Sequence, residues 1–499
     1  MSRSDRRPVV AVGIDAAEPA LVRSLMARGE LPCLRALLER GAWGRVTSPA
    51  DIGSGAVWPT FMTGSGPLHH GICYDWPWDP ERMRIAHLTT NHLTPFWKTL
   101  ALEGYTVGVL DVPFAPIAGL PKGIEISEWG SHDWLLGRLT VSPASLTDWL
   151  ISASGVHPFA AGYVDASGPR DARGLHRVAA ACLAGVRARG TLAVRLLAEM
   201  DLDLLLVVFP EIHKSSHLLW HTVDPVHPAH DAAPLDGEGL VEIFREVDRQ
   251  IGRLAEAAGS EATLLVFSLH GMRAQQGVPT ILNPLLRTLG FAAARSGRAR
   301  PWPERARHAF LAGKRLAPAP VKRLFHHLAP RSVTQRVDHQ GLQVDYDWSR
   351  TVAFPLPTDQ HGWIRLNLAG RESQGALQPE QYPEVCARLE RLLRDLRTAD
   401  GRRVVREVRC IAGNGGGSPP RRLPDLVVHW EDAAEAAPLR LESPAVQAYP
   451  IATKVTGHHA PDGFFVWRGR SGSPAVPDTV AAEDLHRLLH GALRGQPKA

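Results

Sequence analysis

Runs of almost purely apolar residues alternate along this chain with amphipathic stretches of helical period, and that alternation demands a buried sheet. VVAVGID (9–15), YTVGVLDVP (105–113), DLLLVVF (203–209) and ATLLVFSLHG (262–271) lack the polar-apolar alternation of a strand with one wet face. Such runs need cover on both sides, the situation of parallel strands joined by crossover helices. The covering helices are legible in the intervening segments. Residues 18–41 place Leu21, Leu25, Leu34, Leu37 and Leu38 at helical spacing, and 94–104, 172–200 and 240–259 carry similar patterns. The expected fold class is therefore α/β, a mostly parallel central sheet flanked by helices. With 499 residues, of which 44% are hydrophobic and 21% charged, material for a large core is ample.

From about 275 the pattern loosens into a Pro-rich basic segment, a strand-like GWIRLNLAG, an amphipathic YPEVCARLERLLRDLRTADG and the glycine loop GNGGGSPP (413–420). We read 8–274 as the first part of the core, 275–424 as an inserted cap or accessory region, and 425–499 as the last part of the core. Residues 295–336 hold eleven Lys or Arg against the single acid Glu304, although the whole chain is only +5. Such a block is either a solvated helical surface or an attractor for an anionic substrate. No nucleic-acid motif accompanies it.

Five cysteines (Cys33, Cys73, Cys182, Cys386, Cys410) show no metal-ligand spacing, and no apolar run reaches membrane-spanning length. The N-terminal apolar run is too short for a signal-peptide core, so a cytoplasmic protein with reduced thiols is the expectation.

Ligands of open parallel sheets bind beyond the carboxyl ends of the strands. The first apolar run ends at Asp15, the third leads into Glu211, His213, His217 and His221, and the fourth ends at His270. Histidines at i and i+4 share one helical face and can grip one metal ion. In a chain with 23 histidines that spacing alone is weak, and its position after the strongest strand gives it weight. His221 lies a further turn along, so His213 and His217 are the nearer candidates and His221 supports them or lies on the helix surface. The stretch SPADIGSGAVWPTFMTGSGPLHHGI (48–72) is either a plain loop or the seat of a hydroxyl nucleophile.

Taken together, these islands resemble the type I phosphodiesterase/nucleotide pyrophosphatase branch of the alkaline phosphatase superfamily. The resemblance rests on GIDAAEPALV, on a hydroxyl residue ten positions before the Gly of TFMTG followed by P-x-H-H-G-I, on E-I-H-x-x-x-H after a hydrophobic strand, and on S-L-H-G with the late G-H-H-A-P-D-G. It implies an alkaline-phosphatase-like core, with Asp15, His217, His270 and His459 as metal ligands and Ser54 as the nucleophile. Two zinc ions binding the phosphoryl group and a covalent phospho-enzyme are further implications. Where that family carries aspartates, this chain has His213 and Leu269. His for Asp keeps a ligand without its charge, and Leu for Asp removes one. The ligands would then divide into His213, His217 and His459 at one site and Asp15, Ser54 and His270 at another, with Glu211 as a compensating acid. Thr60 competes with Ser54 for the nucleophile and otherwise caps a helix. The expected function is metal-dependent hydrolysis of a small anionic phosphoester, with one or two divalent ions, zinc first and manganese or iron as alternatives. The competing readings are a catalytically weak relative that binds an anion, and a biosynthetic group-transfer enzyme.

Overall fold

The computed structural model describes residues 7–86, 88–130, 139–155, 157–158, 172–227, 229–230, 238–274, 281–295, 346–358, 361–398, 401–412, 420–431, 439–440, 456–470 and 476–494. The chain forms two compact units, one of residues 1–70, 89–275 and 454–499 and the other of 71–88 and 276–453.

The larger unit is built on a nine-stranded sheet. Its centre is the apolar runs picked out above. Val9–Ile14 lies between Thr263–Ser268 and Leu204–Phe209, parallel to both, and Val107–Leu110 and Gly123–Ser127 continue the parallel order outward. All residues of the three central strands are buried, which is why those runs show no polar alternation. Asp462–Arg468 is inserted antiparallel between Thr263–Ser268 and Ala42–Thr47. The helices Ala172–Glu199 and Glu238–Ala258 pack on each other, and their apolar side chains join the core of the sheet.

Register aligns the ends of the central strands. Ile14 pairs with Phe209 and Gly13 with Phe267, so Asp15, the segment after Phe209 and the segment after Ser268 emerge at one level. A short antiparallel pair, Gly271–Ala274 with Gly457–Ala460, sets His459 beside Met272. That pairing brings a residue from the last part of the chain to the end of the central sheet.

The smaller unit holds a four-stranded antiparallel sheet in the order Ala353–Leu356, Gly362–Leu366, Leu426–Trp430, Val405–Cys410, with the helix Tyr382–Arg394 against the last strand. Leu426–Trp430 thus pairs here, and the chain rejoins the larger unit at 454 instead of 425. Apart from Arg295, the basic block 295–336 lies outside the described residues, as does most of the loop 413–420.

Candidate metal centre

The strand Leu204–Phe209 passes through Pro210 into the helix Glu211–Leu219, whose start is thereby fixed at the sheet edge. His213 and His217 stand one turn apart on that helix, with their Nε2 atoms 2.9 Å from each other. His459 arrives from the strand Gly457–Ala460 and places its Nε2 2.7 Å from that of His213. His270, just past Thr263–Ser268, completes the group, its ring centroid 4.9 Å from that of His459. Ligand atoms of His213, His270 and His459 all lie within 4.8 Å of one another.

The ligands expected at two sites thus lie side by side at one sheet edge. The imidazoles expected at the first site and His270 form one cluster, because strand register sets their anchor points side by side.

Hydrogen bonds orient these rings. Nδ1 of His217 donates to the Gly457 carbonyl at 2.9 Å, and Nδ1 of His270 donates to the Gly271 carbonyl at 3.1 Å. Nδ1 of His213 donates to Asp15 Oδ2 at 2.7 Å. Acceptors of this kind take only a proton donor, so Nε2 of His213 and of His217 is left to carry the lone pair, whereas Nε2 of His270 faces Asp15 Oδ1 at 3.4 Å. Asp15 is 1% exposed, and its other oxygen accepts the indole N–H of Trp58 at 2.9 Å. Burial pushes the Asp15 carboxyl up, but the adjacent His213 and His270 outweigh it and hold the group well below the usual carboxylate range. In this arrangement the carboxylate orients an imidazole, a role that carboxylates commonly play behind metal-bound histidines.

Backbone approach makes the cluster possible. A Cβ on Gly457 would run into the Ser216 carbonyl, so only glycine lets this strand lie on the helix that carries His213 and His217. The Thr456 N–H donates to the His217 carbonyl at 2.7 Å, and His221 Nδ1 lies 3.1 Å from the Thr456 hydroxyl. His221 thus supports the approach to that strand and is not one of the converging rings.

Ser54 opens a short 3-10 turn, Ser54–Ala56, that runs into the helix Val57–Thr63. Trp58, one turn later, reaches Asp15, and the preceding turn Pro49–Asp51 packs on the strand of His459. Both contacts hold the Ser54 segment to the elements of the cluster. Thr60 lies inside the helix and does not cap it. Its Oγ1 is fully buried 3.0 Å from His70 Nε2. Trp58 itself is core, packed on Phe61 and Phe267.

Glu211 does not compensate for the missing aspartate. It is fully buried in another network, 3.1 Å from His157 and 3.2 Å from Arg189, whose guanidinium also meets Asp111 at 2.8 Å. Leu269, fully buried, stands where the family aspartate was expected. Two residues escaped the sequence reading. Ser268 accepts from the Ala17 N–H and donates to the His270 carbonyl, which pins the turn before His270. Glu18 caps the helix Pro19–Ala27 and accepts from the Met272 N–H at 3.2 Å, its carboxyl pushed up to about 7 by burial. An acid immediately before Pro19 was the signal for that cap.

Residues 9–435 match the family model of type I phosphodiesterase/nucleotide pyrophosphatase. The chain belongs to that family. Membership supports phosphoester hydrolysis, and the α/β core with its mostly parallel sheet is alkaline-phosphatase-like. Among solved structures, phosphonoacetate hydrolase from Sinorhizobium meliloti, in complexes with phosphonoformate and with phosphonoacetate, is similar at 15% identity. Its TM-score is 0.55, over 98% of this chain and 96% of that one. Human ectonucleotide pyrophosphatase/phosphodiesterase 5 is similar at 12% identity and a TM-score of 0.48, over 99% and 97%. Comparison with curated protein sequences returns no match. Among the described residues, no helix is long and apolar enough to cross a membrane.

Proposed function

We propose that this chain is a metal-dependent hydrolase of small phosphoesters, with Ser54 as nucleophile and a single divalent ion held by imidazoles. The observation that carries the reading is the convergence of His213, His217, His270 and His459 at the ends of the central strands, with Asp15 behind His213. His213 and His217 have Nδ1 committed to acceptors, so their Nε2 lone pairs face each other 2.9 Å apart in a buried site, and a cation is what relieves that repulsion. The donor set fits a metal. Imidazole nitrogens with little carboxylate suit zinc better than magnesium, calcium or manganese. With Asp15 engaged by His213 and Trp58 and Leu269 offering no donor, the charge and ligand count support one ion in preference to two.

His213, His217 and His459 would hold the ion, with His270 as the fourth imidazole. Bound there, a divalent cation supplies Lewis acidity toward a phosphoryl oxygen and favours the deprotonated form of a nearby hydroxyl. Ser54 would form the bond to phosphorus as the leaving-group oxygen departs, and water would then release the phosphoryl product, phosphate or its monoester, and restore the serine. Five thiols without a disulfide support a cytoplasmic setting.

The test is to count zinc, manganese and iron per purified chain and assay a diester, a pyrophosphate and a monoester. One equivalent of zinc, with turnover lost in Ser54→Ala while metal is retained, is the expected result. Metal-loaded protein that hydrolyses none of the three, or Ser54→Ala with wild-type turnover, would sink the proposal. Two equivalents would overturn only the single-ion reading.

A further inference from the structure

Far from the imidazole cluster in sequence, the smaller unit sets two thiols face to face. Cys386 lies on the helix Tyr382–Arg394 and Cys410 ends the strand Val405–Cys410, against which that helix packs. Their sulfurs are 3.9 Å apart, in S–H···S contact. The residues around both are anchored. Cys386 stands one turn after Tyr382 on the same helix face, and the Tyr382 hydroxyl donates to Asp425 Oδ1 at 3.0 Å. Asp425 in turn takes both Nη atoms of Arg371 at 2.7 and 2.8 Å, and its carbonyl accepts from the Ile411 N–H next to Cys410 at 2.9 Å. A buried polar network thus fixes the helix and the strand end that carry the two sulfurs.

We propose that Cys386 and Cys410 form a redox-sensitive dithiol that hydrogen peroxide converts to an intramolecular disulfide. Cys410 is the attacking group, since it is partly exposed while Cys386 is buried. Its thiolate takes one peroxide oxygen, the O–O bond breaks, and the other oxygen leaves as water after protonation, so that Cys410 becomes a sulfenic acid. The Cys386 sulfur then bonds to the Cys410 sulfur, and the S–O bond breaks. The departing hydroxide takes the Cys386 proton and leaves as the second water. Peroxide is reduced by two electrons and the dithiol is oxidised by two.

The electrostatics agree with these roles. The neighbouring Cys386 S–H draws the Cys410 thiol down despite burial, whereas Cys386 is pushed up. The other three thiols are all pushed up by burial, Cys33 to about 11, Cys73 to about 12, and Cys182 as well. Thiolate character and access decide which cysteine oxidises, so the pair should react ahead of the rest.

The experiment treats the intact full-length chain with a small excess of hydrogen peroxide, blocks remaining thiols with a maleimide, and maps peptides without reduction. The expected product is a Cys386–Cys410 cross-linked peptide, reversed by dithiothreitol, with Cys33, Cys73 and Cys182 still alkylated. In Cys386→Ala, a dimedone adduct should accumulate at Cys410. Because the mapping is done on the wild-type chain, it stands even if that variant folds poorly. Both thiols alkylated at peroxide levels that oxidise Cys33, or Cys410 driven to the sulfinic acid with Cys386 still reduced, would overturn the proposal.

Discussion

At the scale of single residues, Asp15 decides how the cluster behaves, because one oxygen accepts from His213 and the other accepts from Trp58 and faces His270 at 3.4 Å. If it orients His213 instead of binding the ion, Asp15→Asn should weaken zinc binding by about 10- to 100-fold without abolishing it. His213→Ala should abolish it, and competition with a chromogenic chelator separates the two. Equal loss in both variants would make Asp15 a ligand. His70 gives a different readout. Burial, with His92 and His69 nearby, draws its imidazole down from 6.5 to about 4. The folded state therefore binds fewer protons than the unfolded one between those values. The contribution of neutral His70 is complete above about 6.5 and fades as pH falls toward 4, by at most about 3 kcal/mol. Urea unfolding at pH 5 and pH 7 should show a smaller difference in His70→Gln than in wild type.

At the scale of elements, the centre depends on how closely the strand Gly457–Ala460 lies on the helix Glu211–Leu219. Gly457→Ala would drive a methyl group into the Ser216 carbonyl, and backbone cannot step aside as a side-chain tip can. The expected cost is about 1–3 kcal/mol in unfolding free energy. A fall in zinc affinity should accompany it, because His459 rides on the displaced strand. Unchanged zinc titration in a destabilised variant would show that His459 tolerates the shift. The network around Arg189 acts on the same helix from its other end. Glu211, in the first turn, is tied through Arg189 to Asp111, and this tie spends an acid that the sequence had offered to the metal.

At the scale of the whole molecule, charge is distributed unevenly along the chain. Residues 295–336 carry a strong basic surplus in a protein that is otherwise slightly acidic. We propose that this segment steers an anionic substrate. Replacing four of its arginines with glutamine should raise KM and flatten its dependence on salt, with kcat unchanged. Kinetics at two ionic strengths check this, and identical salt slopes would make the block a solvated surface.

Much of this architecture was legible before any coordinate. Short β-rich apolar runs that alternate with amphipathic helical stretches read as buried strands, and so the parallel core followed from VVAVGI, LLLVVF and TLLVFS with the helices between them. Proximity to a strand end also marked Asp15, His213, His217 and His270, since chain connectivity fixes where a strand delivers its next residue. What lay beyond reach was the partner of each polar group. Nothing local distinguishes a Glu211 that turns toward a metal from one that turns toward Arg189, or a Thr60 that caps a helix from one that meets His70. Those choices belong to residues brought close only when the sheet closes, as with Cys386 and Cys410, 24 positions apart and in sulfur contact. Hydrophobic periodicity is written along the chain, whereas the pairing of buried polar atoms is settled by distances that exist only in the folded core.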